Sequence, residues 1–384
     1  MATLSKISKP LLLGAMLVVF VLAGELLRAE SQLEVASLFV IAIVLGLIAR
    51  RFGWMRRAAD SADAYPRTLG LACVLGVCAL LAFFHEDHFA LLLLGSVLLY
   101  STACLGLNIQ FGYTGIVNFA GAAFFGIGSY TAAVLAKTGT PHLLVLAAGG
   151  AMAALISCLL ILPVLRTRGH YAALVTIAFS ILFRTFLEVN DTLGGPQGMK
   201  VPALNLFGWN LGANIEIGDI EISFYANYVL FALALCVLAF VMVRRLERSW
   251  IGVAMDMVRT DEVAASVFGV SIARLKVIAF MAGNFLVGVA GAVYGMMTSY
   301  VAPNNFTFAD SLILVSMLLL GGIGNPWGIL PAAALILILP EKLQFIQEYR
   351  FLLYGVVIIL ILLFRPQGLL PRSLRNFFPG RGQA

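Results

Sequence analysis

The chain has 384 residues, of which 61% are hydrophobic and only 11% charged, and its mean hydropathy is +0.99. Soluble domains carry about 25% charged residues, so the polar side chains cannot coat a water-soluble globule, and the natural unit of counting is the membrane span. A net charge of +6 does not point to nucleic acid, because the basic residues sit in short loops between apolar runs instead of on one face.

A helix needs about 20 apolar residues to cross a bilayer. In chain order the apolar runs fall near 11–27, 33–49, 69–84, 89–107, 119–136, 143–165, 171–187, 226–243, 277–299, 309–321, 329–339 and 351–364. The first follows Lys6 and Lys9 in the manner of a signal peptide. It lacks a small-residue cleavage site and another apolar run comes at once, so it reads as a retained helix. The runs 309–321 and 329–339 are too short to span, and they read as tilted or broken helices or the arms of a re-entrant hairpin around Gly321–Gly328. The expectation is an all-α polytopic bundle of about ten transmembrane helices, broken or re-entrant near 108–120 and 309–339. Residues 1–67 form an N-terminal helix pair with a basic loop, 68–371 the transmembrane domain and 372–384 a tail. The 37 glycines suit such a bundle, because small residues let membrane helices approach closely.

Cytoplasmic loops carry the Lys/Arg excess. With both termini inside, the cytoplasmic side receives 19 of the 25 basic residues and the opposite side 13 of the 19 acidic ones. Two soluble stretches remain. The outer one, 188–225, reads equally as a surface loop or as a ledge for an external partner. The inner one, 244–276, places Val263, Val267, Val270 and Arg274 on one helical stripe with Asp261, Glu262 and Ser266 off it. That is an amphipathic helix in need of a lipid or protein surface.

Catalytic signatures are missing. The sequence has no GxxxxGK[ST], HExxH or GxSxG stretch, so no catalytic residue, directly bound cofactor or metal is expected. Cys73, Cys78, Cys104, Cys158 and Cys236 each lie inside an apolar run and read as packing residues. His85 and His88 are three apart, but the His-Glu-Asp-His turn reads as a solvated loop. Ionisable residues within the spans mark proton and ion pathways. Arg184 is the main instance, and Glu188 one turn later can pair with it on the same face.

Two segments interrupt the helical pattern within apolar surroundings. One runs from Asn108 through Gly112, Tyr113, Thr114 and Gly115 to Asn118; the other contains Gly321, Gly322, Gly324 and Asn325. Non-helical backbone at membrane depth is tolerated only where it lines a cavity or packs inside protein, and its freed N–H and C=O groups can hold a zwitterion. These ten residues are the candidate solute pathway. Close packing of helices through small residues explains the glycines equally well.

With these segments in view, the chain resembles the inner-membrane permeases of branched-chain amino acid ABC transporters, of the LivM-like kind. The likeness rests on Leu107–Gly115 through Phe125–Tyr130, Gly194-Gly-Pro-Gln-Gly198, Leu320–Gly328 and Phe364-Arg-Pro-Gln-Gly-Leu-Leu-Pro371, and residues 1–100 contribute nothing to it. The resemblance implies a coupling helix that docks into an ATPase groove, at Asp261, Glu262, Ala264, Ala265 and Gly269. The glutamate of the family's pattern falls one position early here, and the Leu-Pro that usually closes the pattern is replaced by Ile278-Ala-Phe280. The implied partners are a second homologous permease, two ATP-binding subunits that carry the ATP and Mg, and a periplasmic or extracellular solute-binding protein, all in a lipid bilayer. A urea or short-amide importer permease is the nearest alternative. An ATP-independent carrier is a different class, disfavoured by the scarcity of charges within the spans.

Overall fold

The structure, a computed structural model, describes residues 2–29, 31–51, 65–166, 171–206, 208–217, 220–342, Tyr349, Leu352, 354–356, 358–359, Leu363, 368–370 and Arg372. The basic loop around Arg56 and Arg57, most of the apolar run 351–364 and the tail beyond Arg372 lie outside the described residues.

The chain is an all-α membrane-type bundle. Helices α1 (Ala2–Arg28) and α2 (Gln32–Arg51) precede α3 (Pro66–Phe83), α4 (His88–Asn108) and α5 (Gly121–Leu135). Then come α6 (His142–Arg166), α7 (Tyr171–Val189), α8 (Tyr225–Arg248), α9 (Trp250–Thr260) and α10 (Glu262–Val267). The last are α11 (Ile272–Thr298), α12 (Phe308–Gly321) and α13 (Ile329–Lys342). Among the described residues seven helices are long and apolar enough to cross a membrane. The run 119–136 folds as the 15-residue α5, since residues 115–120 form no regular element and α5 starts only at Gly121. The runs 309–321 and 329–339 form α12 and α13, two short arms around a turn at Pro326–Gly328.

Helices α4 and α11 sit at the centre. In α4, continued to Thr114, 83% of the most apolar window is buried, against 11% in α3 and 17% in α7. Asp87 starts α4 by accepting from the backbone N–H groups of Phe89 and Ala90 at 2.9 and 3.0 Å, which satisfies two of the donors that a helix N-terminus leaves open. The centre is dense because α5 and α11 touch backbone to backbone. A Cβ on Gly128 would run into the Gly288 carbonyl, and one on Gly291 into that of Phe125. With lipid as apolar as leucine, such van der Waals contact is the main source of helix association in a bilayer.

At one end, the segment 188–225 is more built than a plain surface loop. Strand β1 (Met199–Lys200) pairs antiparallel with β6 (Tyr300–Val301), and two small hairpins follow, β2–β3 (Asn205–Leu206, Trp209–Asn210) and β4–β5 (Ile215–Ile217, Ile220–Ile222). Arg184 pairs with Glu188 at 2.8 Å, as their spacing predicts, and also donates to Asn304 Oδ1 at 3.1 Å. At the N-terminal pair, Lys342 Nζ donates to the carbonyls of Leu27 and Ala29 at 2.6 and 3.1 Å, which ties the end of α1 to α13.

Substituting Gly128 with valine is expected to cost more than about 2 kcal/mol, because overpacking here meets backbone rather than a yielding side chain. Gly14→Ala, with nothing within 4 Å of the added Cβ, is expected to be neutral or slightly stabilising. Thermal unfolding of the two detergent-purified variants checks the contrast.

Candidate functional site

Helix α4 does not end cleanly. It runs into a π-helical turn, Ile109–Thr114, closed by Gly115 at φ 71°, and continues as irregular chain to Ala120. A π turn widens the backbone and withdraws carbonyls from regular i→i−4 bonding, a feature frequent at functional sites. Two backbone donors at and just beyond the break bond side chains of neighbouring helices. Phe119 N donates to Thr176 Oγ1 of α7 at 3.1 Å, and Ala122 N to Ser311 Oγ of α12 at 3.0 Å.

A buried cluster of side-chain amides holds the break from within. Asn118 Nδ2 donates to Gln110 Oε1 at 2.8 Å and to Asn284 Oδ1 at 3.2 Å, and Gln110 Nε2 donates to the same Asn284 oxygen at 3.1 Å. All three residues are fully buried. Asn284, on α11, therefore accepts from both ends of the break. No motif marked it; the available signal was a single amide within an otherwise apolar and small-residue helix. Gln110 lies inside the segment read as a break, yet it escaped the candidate set.

The two breaks meet. Asn108 Oδ1 accepts from Gly324 N at 2.8 Å, and a Cβ on Gly112 would sit 2.8 Å from the Gly324 Cα. Gly324 has φ 88°, a left-handed conformation that glycine adopts without the Cβ clash, so this close crossing demands glycine on both sides. Thr114 turns back to Gln110 O at 2.9 Å, and Tyr113 is fully buried. Gly321 packs on Gly328 across the second turn, while Asn325 starts that turn by accepting from Trp327 N at 3.0 Å. The structure thus brings Asn108, Gly112 and Gly324 into direct contact. Asn118 stands on the α11 side, and Gly321, Gly322 and Asn325 shape the second turn. Gly115 is exposed beyond the end of the break.

A cluster of charges closes the same end of the bundle. Arg259, on α9, donates from Nη1 to the Gly112 carbonyl, and Arg372 Nη1 lies 3.4 Å from that oxygen. Arg372 grips Asp256 in a fork, at 2.7 and 2.8 Å, stacks 4.9 Å from the Tyr113 ring centre, and lies 3.9 Å from Glu247. Burial works against the charge on Arg372, but the hydrogen bond and charge of Asp256 prevail and hold its guanidinium above the ordinary arginine range. Burial, and then the neighbouring Arg372, push Arg259 below it. The chain just before Arg372 also pairs with the second break: Leu369 N donates to Leu320 O at 2.7 Å and Leu370 N to Gly321 O at 3.2 Å.

Next to these charges lies the segment read as a coupling helix. Asp261 is its cap, accepting from the N–H groups of Val263 and Ala264 at 2.8 and 3.0 Å. Glu262 pairs with Lys276 at 2.6 Å, and Gly269, at φ 75°, ends the turn. The helix is shorter than its periodicity suggests. It stops at Val267, and the stripe does not continue through Val270 to Arg274, because the left-handed Gly269 reverses the chain before α11. Ala265 is buried and Ala264 is exposed. Val263, Val267 and Phe268 are 74%, 80% and 76% exposed, so the uncovered apolar surface belongs to them and not to the alanines. Between α9 and α10 runs a groove of about 350 Å³, lined by Asp256, Met257, Thr260, Ala264 and Phe268 among others.

Residues 89–362 match the family of the permease component of the branched-chain amino acid transport system. The chain belongs to this family. The high-affinity branched-chain amino acid transport system permease protein LivM of Escherichia coli is 34% identical over 291 residues, which cover 72% of this chain and 68% of that protein. The LivM protein of Salmonella typhimurium is 33% identical over 302 residues, 75% of this chain and 71% of that one. The high-affinity branched-chain amino acid transport system permease protein LivH of Salmonella typhimurium is 25% identical over 308 residues, 76% of this chain and 96% of that one. This permease is thus LivM-like, a multi-pass membrane protein and a transport component. No solved structure matches it.

Replacing Asn284 with leucine is expected to cost about 1–3 kcal/mol, since two buried amide donors lose their shared acceptor. Adding Gln110→Leu is expected to cost less than the sum of the two single changes. A double-mutant cycle on thermal or denaturant stability measures this coupling.

Proposed function

We propose that this permease is one transmembrane subunit of an ATP-binding cassette importer, which moves branched-chain or related amino acids across the inner membrane by alternating access. The observation that carries the reading is the crossing of two broken segments at Asn108 and Gly324, inside the bundle of a chain from a transport-permease family. Backbone released at such a crossing offers N–H and C=O groups to a zwitterion without a dedicated charged site. Asn108, Gly112, Tyr113, Thr114, Gly115, Asn118, Gly321, Gly322, Gly324 and Asn325 line or shape the pathway, with Gln110 and Asn284 added to them.

The chain hydrolyses nothing in this reading. ATP and Mg bind to two separate ATP-binding subunits, which dock on the face formed by Val263, Val267 and Phe268 and on the adjoining groove. Three large apolar side chains, each more than 70% exposed, two on a six-residue helix and one just past its end, support a protein contact there. A second, homologous permease completes the pathway, and an external solute-binding protein delivers solute to the end that carries β1–β6. Both termini face the cytoplasm, in line with the concentration of arginine and lysine on the α8–α9 side.

Tagged protein purified in mild detergent is expected to bring down ATP-binding subunits and a second permease, and to show ATPase activity. Val267→Glu is expected to lower both the recovered ATPase and ATP-driven amino-acid uptake by about tenfold or more, as for the loss of a central apolar anchor, while the two permeases stay together. A monodisperse chain without ATPase partners would overturn the reading in favour of an ATP-independent carrier.

A further inference from the structure

We infer that Arg372, Asp256 and Arg259 form a latch that holds the inner mouth of the pathway shut. The inference rests on the proposed role of the two breaks as the pathway, and deepens it by naming the residues that position them.

The latch joins each part that must separate for the mouth to open. The Gly112 carbonyl belongs to the first break and receives both guanidinium groups. At Gly324, in the second break, the space for a Cβ is taken by Arg372 Cδ at 2.7 Å and Arg259 Nη1 at 3.2 Å. Arg372 belongs to the chain that pairs with Leu320 and Gly321, whereas Asp256 and Arg259 belong to α9. Tyr113 lies under Arg372 as a flat apolar base. Pulling the breaks apart therefore requires at least one guanidinium to leave the Gly112 oxygen.

The charges around that carbonyl are balanced by one carboxylate. Two like charges meet at one carbonyl, and the Asp256 fork offsets their repulsion; bidentate arginine–carboxylate pairs are strong and directional. Asp256 has a second face, which lines the groove beside α10. Arg372 is in this sense a positioning residue of transport: it meets no solute, yet sets when the breaks can part.

The test labels a single cysteine in the full-length protein within inside-out membrane vesicles, with the five native cysteines replaced. Thr114→Cys places the thiol at a position 2% exposed, at the end of the first break. Asp256→Asn is expected to raise labelling by an impermeant maleimide about tenfold, the shift expected when a two-state element loses one charged restraint. Asp256→Glu, which keeps the carboxylate, is expected to stay near the parent rate. Should Asp256→Asn fail to accumulate, Arg372→Gln tests the other half of the pair, with Arg372→Lys as its conservative control. Equal protection in the charge-removing variants overturns the latch, and so does equal labelling of Asp256→Asn and Asp256→Glu. Labelling as expected in a protein that shows no ATP-driven uptake leaves the latch standing and removes the importer reading.

Discussion

A bilayer core contains no water to accept an N–H or donate to a C=O, so a backbone group released from a helix there must be satisfied by the protein itself. Most of what distinguishes this permease from a plain stack of helices follows from that condition. The π turn at 109–114 and the irregular residues after it release several groups at once. Thr176, Ser311, Asn118, Asn284, Arg259 and Arg372 lie in or are aimed at the places where those groups emerge. The buried amides Asn108, Gln110, Asn118 and Asn284 gather at the irregularities, whereas buried hydroxyls such as Ser101, Thr102 and Ser316 bond carbonyls of their own helices.

The same condition explains the division of labour among the helices. α4 and α11 are buried along most of their length and carry amides and small residues where they touch, whereas α3 and α7 present apolar side chains to the surroundings. Close backbone contact between α5 and α11 leaves no room for a Cβ at Gly128. The firmness that results is what allows a short crossing such as Asn108 to Gly324 to hold two broken segments in register. A looser bundle would place the same residues without holding them.

At the arginine-rich end the physics changes from hydrogen-bond satisfaction to charge. Arg259 and Arg372 converge on one carbonyl, a costly arrangement unless carboxylates stand close, and Asp256 and Glu247 do. The uncovered Val263, Val267 and Phe268 lie a few residues away along the chain. The uncovered apolar side chains and the charge cluster at the breaks are thus joined by α9.

Much of this was legible in the sequence. Low charge and long apolar runs determined a polytopic helical membrane protein, because only helices satisfy their own backbone within one segment. The Asn108–Asn118 and Gly321–Asn325 stretches announced themselves as breaks by placing polar residues and glycines at membrane depth, and Arg184 with Glu188 by their spacing. Local pattern could not say that the breaks touch, since Asn108 and Gly324 are 216 residues apart. Nor could it single out Asn284, Asp256 or Arg372, each unremarkable among its own neighbours. Periodicity also carried the coupling stripe past Gly269, where the left-handed turn ends it, and it left open which side chains the bundle covers: Ala265 is inside and Val267 is out. Apolarity and helix length are properties of a segment and can be read along the chain. Which distant carbonyl a guanidinium reaches, and which apolar face stays bare, are properties of packing, and only the tertiary structure decided them.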